Sequence, residues 1–226
     1  MRLRALTVLL AATAPFATAA TAAAAPPSIE MMVVGRTRTL LAARSVTAKA
    51  NSTKIGRRRC SVAAGTALAA LIDARAKPRV TNAAGCDPAS MFVTRVGPDA
   101  NRGIAGWQYK IGRTSPSFSA GDPAGRLRRG QQLLWFWCKR ANACQRTLAL
   151  TVTSDRLTGT ERVRVTGYDD NGHGRRVAAA TVHLDATTTV MTGPDGTATV
   201  AVTAGRHTLY ATKPGLIQSF PQTLVR

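Results

Sequence analysis

Gly106-Trp-Gln-Tyr-Lys-Ile-Gly112 and, further along, Gln131-Gln-Leu-Leu-Trp-Phe-Trp-Cys138 hold all three tryptophans of the chain. In the first stretch Trp107, Tyr109 and Ile111 alternate with Gln108 and Lys110, the period of a strand with one buried face. In the second, Leu133 to Cys138 is apolar without a break. That reads as a strand buried on both sides, or one whose outer face is covered by a partner. Trp107, Tyr109, Trp135 and Trp137 therefore read as core. If the second strand is an edge, Phe136 or Trp137 faces outward and offers a protein-binding patch.

Working outward, Ile29 to Val34 reads as a first strand after Pro26-Pro27. Leu40 to Lys49 and Ile55 to Val62 form a second strand region around a polar loop at Ala50 to Lys54. Gly65-Thr66 precedes a helix over Ala67 to Ala74, with Thr66 as N-cap and Leu68, Leu71 and Ile72 on one face. Pro78 bounds that helix. Met91 to Val96 is a strand, and the Gly and Pro content of Thr114 to Gly125 forces a loop between the aromatic segments.

Around Leu150 to Arg162 tryptophan and cysteine vanish and Thr, Val, Gly and Ala take over. Beyond it, Arg162–Tyr168, Ala180–Leu184, Thr197–Val202 and His207–Ala211 alternate cleanly, with turns at Asp169–Gly172, Gly193–Gly196 and Ala204-Gly205. Short strands at such spacing argue for a small β-sandwich.

From Ile29 to Trp137 the order is strand, strand, Thr-capped helix, strand, Gly-Trp-x-Tyr-x-x-Gly, a Ser-Ala-Gly-Asp loop and a basic-Gly turn before a Trp-rich strand. This resembles the DUF4430 family, whose members are similar to the C-terminal domain of transcobalamin and intrinsic factor. The family's Asn is missing after Ile111, and Arg129-Gly130-Gln131 stands where Asp-Gly-Asp is usual. The resemblance implies a β-grasp-like α+β domain. Val177–Val182, Thr192–Ala198 and Ala204–Gly215 make the remainder resemble carboxypeptidase regulatory-like and bacterial Ig-like modules, which implies a spacer or adhesive role. The expected class is α+β: a β-grasp-like domain with one helix over 26–152, then an all-β Ig-like sandwich over 153–226.

Met1 to Ala25 carries Arg2 and Arg4, an apolar Leu/Ala/Thr run with Ala-x-Ala sites and no acidic residue. It reads as a secretory signal peptide cut between Ala19 and Ala25. No later stretch is long and apolar enough to span a membrane. The chain is thus expected to be secreted or held at the cell surface by contacts. Its composition suits a bacterial source. The four cysteines, Cys60, Cys86, Cys138 and Cys144, read as two disulfides in an exported chain. Cys138 with Cys144 is favoured as a staple across the neck of a hairpin, leaving Cys60 with Cys86. The spacings do not suit tetrahedral zinc, and no Cys-x-x-Cys is present.

The formal net charge is +20, and removing the leader with its two arginines leaves +18. Such a surface attracts polyanions. The arginines are spread out, in Arg57-Arg58-Arg59, Arg126 with Arg128-Arg129, and Arg175-Arg176. They read as a solvated surface, with a polyanion or cell-wall site as the alternative.

No nucleophile elbow, His-Glu-x-x-His or P-loop occurs. His173, His183 and His207 read as surface or cross-strand residues, and Asp169-Asp170-Asn171-Gly172 as a plain turn rather than a calcium loop. The expectation is a non-catalytic binding protein without cofactor or metal, its partner an extracellular or cell-envelope protein. A cobalamin-like carrier acting with a second chain is the other alternative.

Overall fold

The computed structural model describes residues 25–141, 143–155, 159–185 and 187–226, so the expected signal peptide lies, but for Ala25, outside the described residues. The backbone is mostly β. Strands β1 Ser28–Val34, β2 Thr39–Thr47, β3 Asn51–Ile55 and β4 Arg58–Val62 precede the helix α1, Ala67–Asp73. Then come β5 Pro78–Asn82, β6 Met91–Val96, β7 Asp99–Ala100, β8 Gly106–Ile111 and β9 Gln132–Cys138. The second half holds β10 Thr147–Asp155, β11 Thr160–Tyr168, β12 Gly174–Arg176, β13 Thr181–Leu184, β14 Thr188–Met191, β15 Thr197–Ala201, β16 Arg206–Thr212 and β17 Gln222–Val225.

The first half is organised by a sheet of order β2-β1-β9-β8, with β1 and β9 running parallel at its centre. A parallel pair needs a long crossover, and α1 lies within it. Thr66 caps the helix by accepting from Ala69 N at 3.2 Å. Ala67 to Leu71 are all buried, so the helix is enclosed rather than amphipathic, and its alanines let neighbouring chains come close. Asp73 at its other end accepts from Lys49 N and Asn51 Nδ2, both at 2.6 Å.

That last contact explains a departure from expectation. The polar stretch expected to loop at 50–54 is strand β3, paired with β4 across the two-residue turn Gly56-Arg57. Gly56 has φ +59°, the positive value that the first position of a type II′ hairpin turn demands. The hairpin is tied to the helix through Asn51 and to the segment beyond β5 through the Cys60–Cys86 disulfide.

Every residue from Leu133 to Cys138 is buried, and alternation divides them between two cores. Leu133, Trp135 and Trp137 join α1, Met31, Val33 and Met91 in the first cluster. Leu134, Phe136 and Cys138 join Met32, Val34, Ile217 and Phe220 in a cluster shared with the second half. Strand β9 is central, so neither Phe136, 0 % exposed, nor Trp137, 3 %, faces outward; this corrects the edge-strand expectation.

In the second half, β10 pairs with β11, which also pairs with β12 and β15, while a second sheet runs β14-β13-β16-β17. Leu148, Leu150, Val163, Val165, Val182 and Leu209 pack into one core. The expected boundary at 152 cuts β10, whose side chains Leu148 and Leu150 belong wholly to this second core. Strand β10 pairs with β11 and not with β9, so the Cys138–Cys144 disulfide closes the connection between two sheets, not the neck of a hairpin.

Lys110, expected on a solvated face, is fully buried at the junction. Its Nζ donates to Asp169 O at 2.8 Å, Tyr168 O at 3.1 Å and Thr147 Oγ1 at 3.4 Å, and lies 3.4 Å from Asp170 Oδ1. Burial draws its pKa below the usual lysine value, while Asp170 pulls the other way. Truncation in Lys110→Ala strands two carbonyls and a carboxylate, a loss on the order of 2–4 kcal/mol. Because all tryptophans lie in the first half, the variant is expected to unfold at lower urea, with tryptophan fluorescence separating from far-ultraviolet circular dichroism. Unshifted, coincident curves would deny Lys110 a coupling role.

Candidate functional site

Five large apolar side chains are notably exposed among the described residues, and Phe92, Ile104 and Phe118 meet at one pocket. Each sits on backbone that is held in place. Phe92 lies between the buried Met91 and Val93 on β6, where strand alternation turns it outward at 57 % exposure. Ile104 tips a tight turn closed by mutual backbone bonds between Arg102 and Ala105, and its carbonyl accepts from Ala141 N at 2.8 Å. Gly103 in that turn has φ +57°, which a side chain would strain. Phe118 belongs to the Thr114–Gly125 loop, pinned where Tyr109 Oη donates to Phe118 O at 2.7 Å, Ser119 Oγ to Pro88 O at 2.8 Å and Leu68 N to Ala120 O at 2.8 Å.

The pocket encloses about 280 Å³, with Trp107, Tyr109 and Trp135 in its walls. Tyr109 stacks on Trp135 at 5.1 Å, and Trp107 meets Trp137 edge-on at 5.9 Å. Trp107 Nε1 donates to Asp99 O at 2.8 Å, whereas the buried Trp135 Nε1 has no hydrogen-bond partner among the described residues. An aromatic floor beneath an apolar rim can hold an apolar group. Burial, followed by the charge of Asp122, raises Tyr109 to about 12. A larger cleft of about 450 Å³ separates the halves, but threonines and glutamines interrupt its apolar lining.

The remaining sequence candidates are engaged structurally. His207 Nδ1 lies 2.8 Å from Asp185 Oδ2 and its Nε2 3.1 Å from Thr203 O. Both ring nitrogens thus face acceptors, which favours the doubly protonated ring over a general base. The Asp185 hydrogen bond raises the His207 pKa. His183 stacks on Tyr210 at 4.4 Å and bonds Thr212, and His173 is largely exposed beside Asp169. In the Asp169–Gly172 turn, Asp169 accepts from Asn171 N and His173 N and pairs with Arg146, while Asp170 faces Lys110 and Ser115. Those oxygens close the junction instead of converging on one point.

Sequence reading missed Phe92 and Ile104; the one signal was an unbroken Met91-Phe92-Val93 in a strand and an isolated Ile after Gly103. It also missed a basic sheet face. Val163 and Val165 point into the core, so Arg162 and Arg164 point out, joined by Arg176 and by Thr151, Thr153, Thr166 and Thr199. The signal there was the Arg-Val-Arg-Val alternation, passed over in favour of contiguous arginine runs.

No protein-family model, no curated protein and no solved structure matches this chain.

Tyr109 titrates at about 12 in the folded chain against the usual 10. The neutral phenol is therefore favoured by folding, and its contribution is whole below pH 10 and fades as pH rises from 10 to 12. The loss approaches roughly 2–3 kcal/mol. Urea midpoints at neutral pH and near the upper end of that range are expected to differ less in Tyr109→Phe than in the parent. An identical difference would place Tyr109 in an ordinary environment.

Proposed function

We propose that the chain is an exported, non-catalytic binding protein that holds an apolar group of its partner in the Phe92, Ile104 and Phe118 pocket. The observation that carries this reading is the gathering of three exposed large apolar side chains, on three separately anchored segments, around one aromatic-floored cavity. Two disulfides suit an oxidising compartment and therefore secretion or residence at the cell surface. The sheet order β2-β1-β9-β8, with its central parallel pair and a helix in the crossover, supports a β-grasp-like first domain of DUF4430 type. The two stacked sheets that follow support an Ig-like sandwich. A cobalamin-like carrier acting with a second chain is the alternative, for which the 280 Å³ pocket alone falls below the range of sites that bury drug-sized ligands.

Fluorescence of 1-anilinonaphthalene-8-sulfonate tests the pocket. Ile104→Ser with Phe118→Ser is expected to reduce the enhancement about threefold through lost apolar contact. The melting temperature should hardly change, because both side chains are exposed. Unchanged fluorescence would remove the pocket as the apolar site.

The Arg162, Arg164 and Arg176 face favours a second reading, a polyanion site. It predicts retention on heparin above physiological salt that is lost in the triple Arg→Ser variant. Elution at low salt would reduce the attraction to nonspecific charge.

A further inference from the structure

The pocket lies between two strand edges, and its polar rim has the pattern of a sheet awaiting a strand. Strand β8 is the last of its sheet. Its register on β9 pairs Gly106 with Cys138 through Ile111 with Leu133. Gly112 N donates to Gln132 O, which fixes the even-numbered residues as those bonded to β9. The odd-numbered ones turn outward. At one end Trp107 N donates to Asn101 Oδ1 at 3.0 Å, and at the other Ile111 N donates to Thr114 O at 3.0 Å. Between those ends the N–H and C=O of Tyr109 and the C=O of Trp107 face the pocket with no hydrogen-bond partner among the described residues.

The facing edge belongs to β6. Strand β7 covers it only at Arg95 and Val96, and Asn101 N extends the cover to Thr94 O. From there toward Met91 the edge borders the pocket. Asn101 measures the gap: its Nδ2 donates to Val93 O at 3.2 Å while its Oδ1 accepts from Trp107 N. One carboxamide, the size and polarity of a peptide unit, bridges the two edges.

Charge selects the occupant. Arg102 adjoins Asn101 and Gly103 at one end of the pocket, Arg95 lies on β6 beyond Val93, and Arg140 adjoins Ala141 in the wall. Asp99 is engaged by Arg36 N, and Asp122 caps Ala124 N. A second copy, at a formal net charge of +20, is repelled, and residues 1–24 bring two arginines and no carboxylate. Taking the pocket as the binding site, we propose that it receives by strand addition a short extended segment of a partner protein. That segment places an aromatic or large aliphatic side chain over Trp107 and Tyr109 and has acidic residues next to it, within reach of Arg102 and Arg140.

The test uses the mature chain, ¹⁵N-labelled, and the end-blocked peptide Asp-Glu-Val-Phe-Val-Glu-Asp, with a second peptide N-methylated at the amides that would face β8. Saturable binding is expected, with Tyr109 amide exchange slowed at least about tenfold and affinity for the N-methylated peptide at least about tenfold lower, the scale of a lost backbone bond. Binding that tolerates N-methylation yet weakens in Ile104→Ser with Phe118→Ser overturns strand addition and leaves the apolar pocket standing. Binding indifferent to both changes, or no binding at millimolar peptide, overturns the proposal. So does Tyr109 protection in the free protein: concentration-dependent protection would assign the gap to a second copy, and protection only when residues 1–24 are retained would assign it to that segment.

Discussion

Because β9 is buried on both faces, its side-chain alternation ties the two halves of the molecule together. Leu133, Trp135 and Trp137 anchor the core that encloses the helix; Leu134, Phe136 and Cys138 anchor the apolar seam to the second half. Fully burying a large apolar side chain contributes about 1.5–3 kcal/mol, so one seven-residue strand supplies a large share of both. A shift of register by one residue would exchange the two sets and fill each space with the wrong volumes. Pairing with β1 on one side and β8 on the other prevents it.

Polar groups at the seam serve the same end. A single buried ammonium, Lys110, gathers carbonyls and a carboxylate from the Asp169–Gly172 turn, and Arg146 holds Asp169 from the other side. Breaking such a cluster by removing one partner is far costlier than its net worth as a pair. Asp169 and Asp170 are thereby committed to architecture.

Local chemistry was legible where one signal dominated: Thr66 before an Ala/Leu run, Arg162 to Tyr168 in strict alternation, Leu133 to Cys138 without a polar break. It was not legible where tertiary partners decide. Asn51 to Lys54 look like a loop until the helix end supplies Asp73 and β4 supplies a ladder. Lys110 looks solvated until Thr147 and the Asp169–Gly172 turn cover it. Cys138 and Cys144 lie close in sequence, yet the strands they bracket belong to different sheets, because the apolar seam turns β10 toward β11. Of the candidate site, Thr114–Gly125 was legible as a loop, but Phe92 and Ile104 were not legible as exposed, since their exposure depends on which edge of which sheet remains open.

The central parallel pair also governs how the first half responds to a pull. Tension along the chain would enter at the start of β1 and leave at the end of β9, where the backbone passes toward β10. In a parallel pair those points lie at opposite ends of the shared ladder. The load therefore slides the strands past one another and is shared by all the rungs at once, instead of peeling them singly. A pull on the chain would be resisted at that joint, while the Cys138–Cys144 ring bounds how far the adjoining connection can extend.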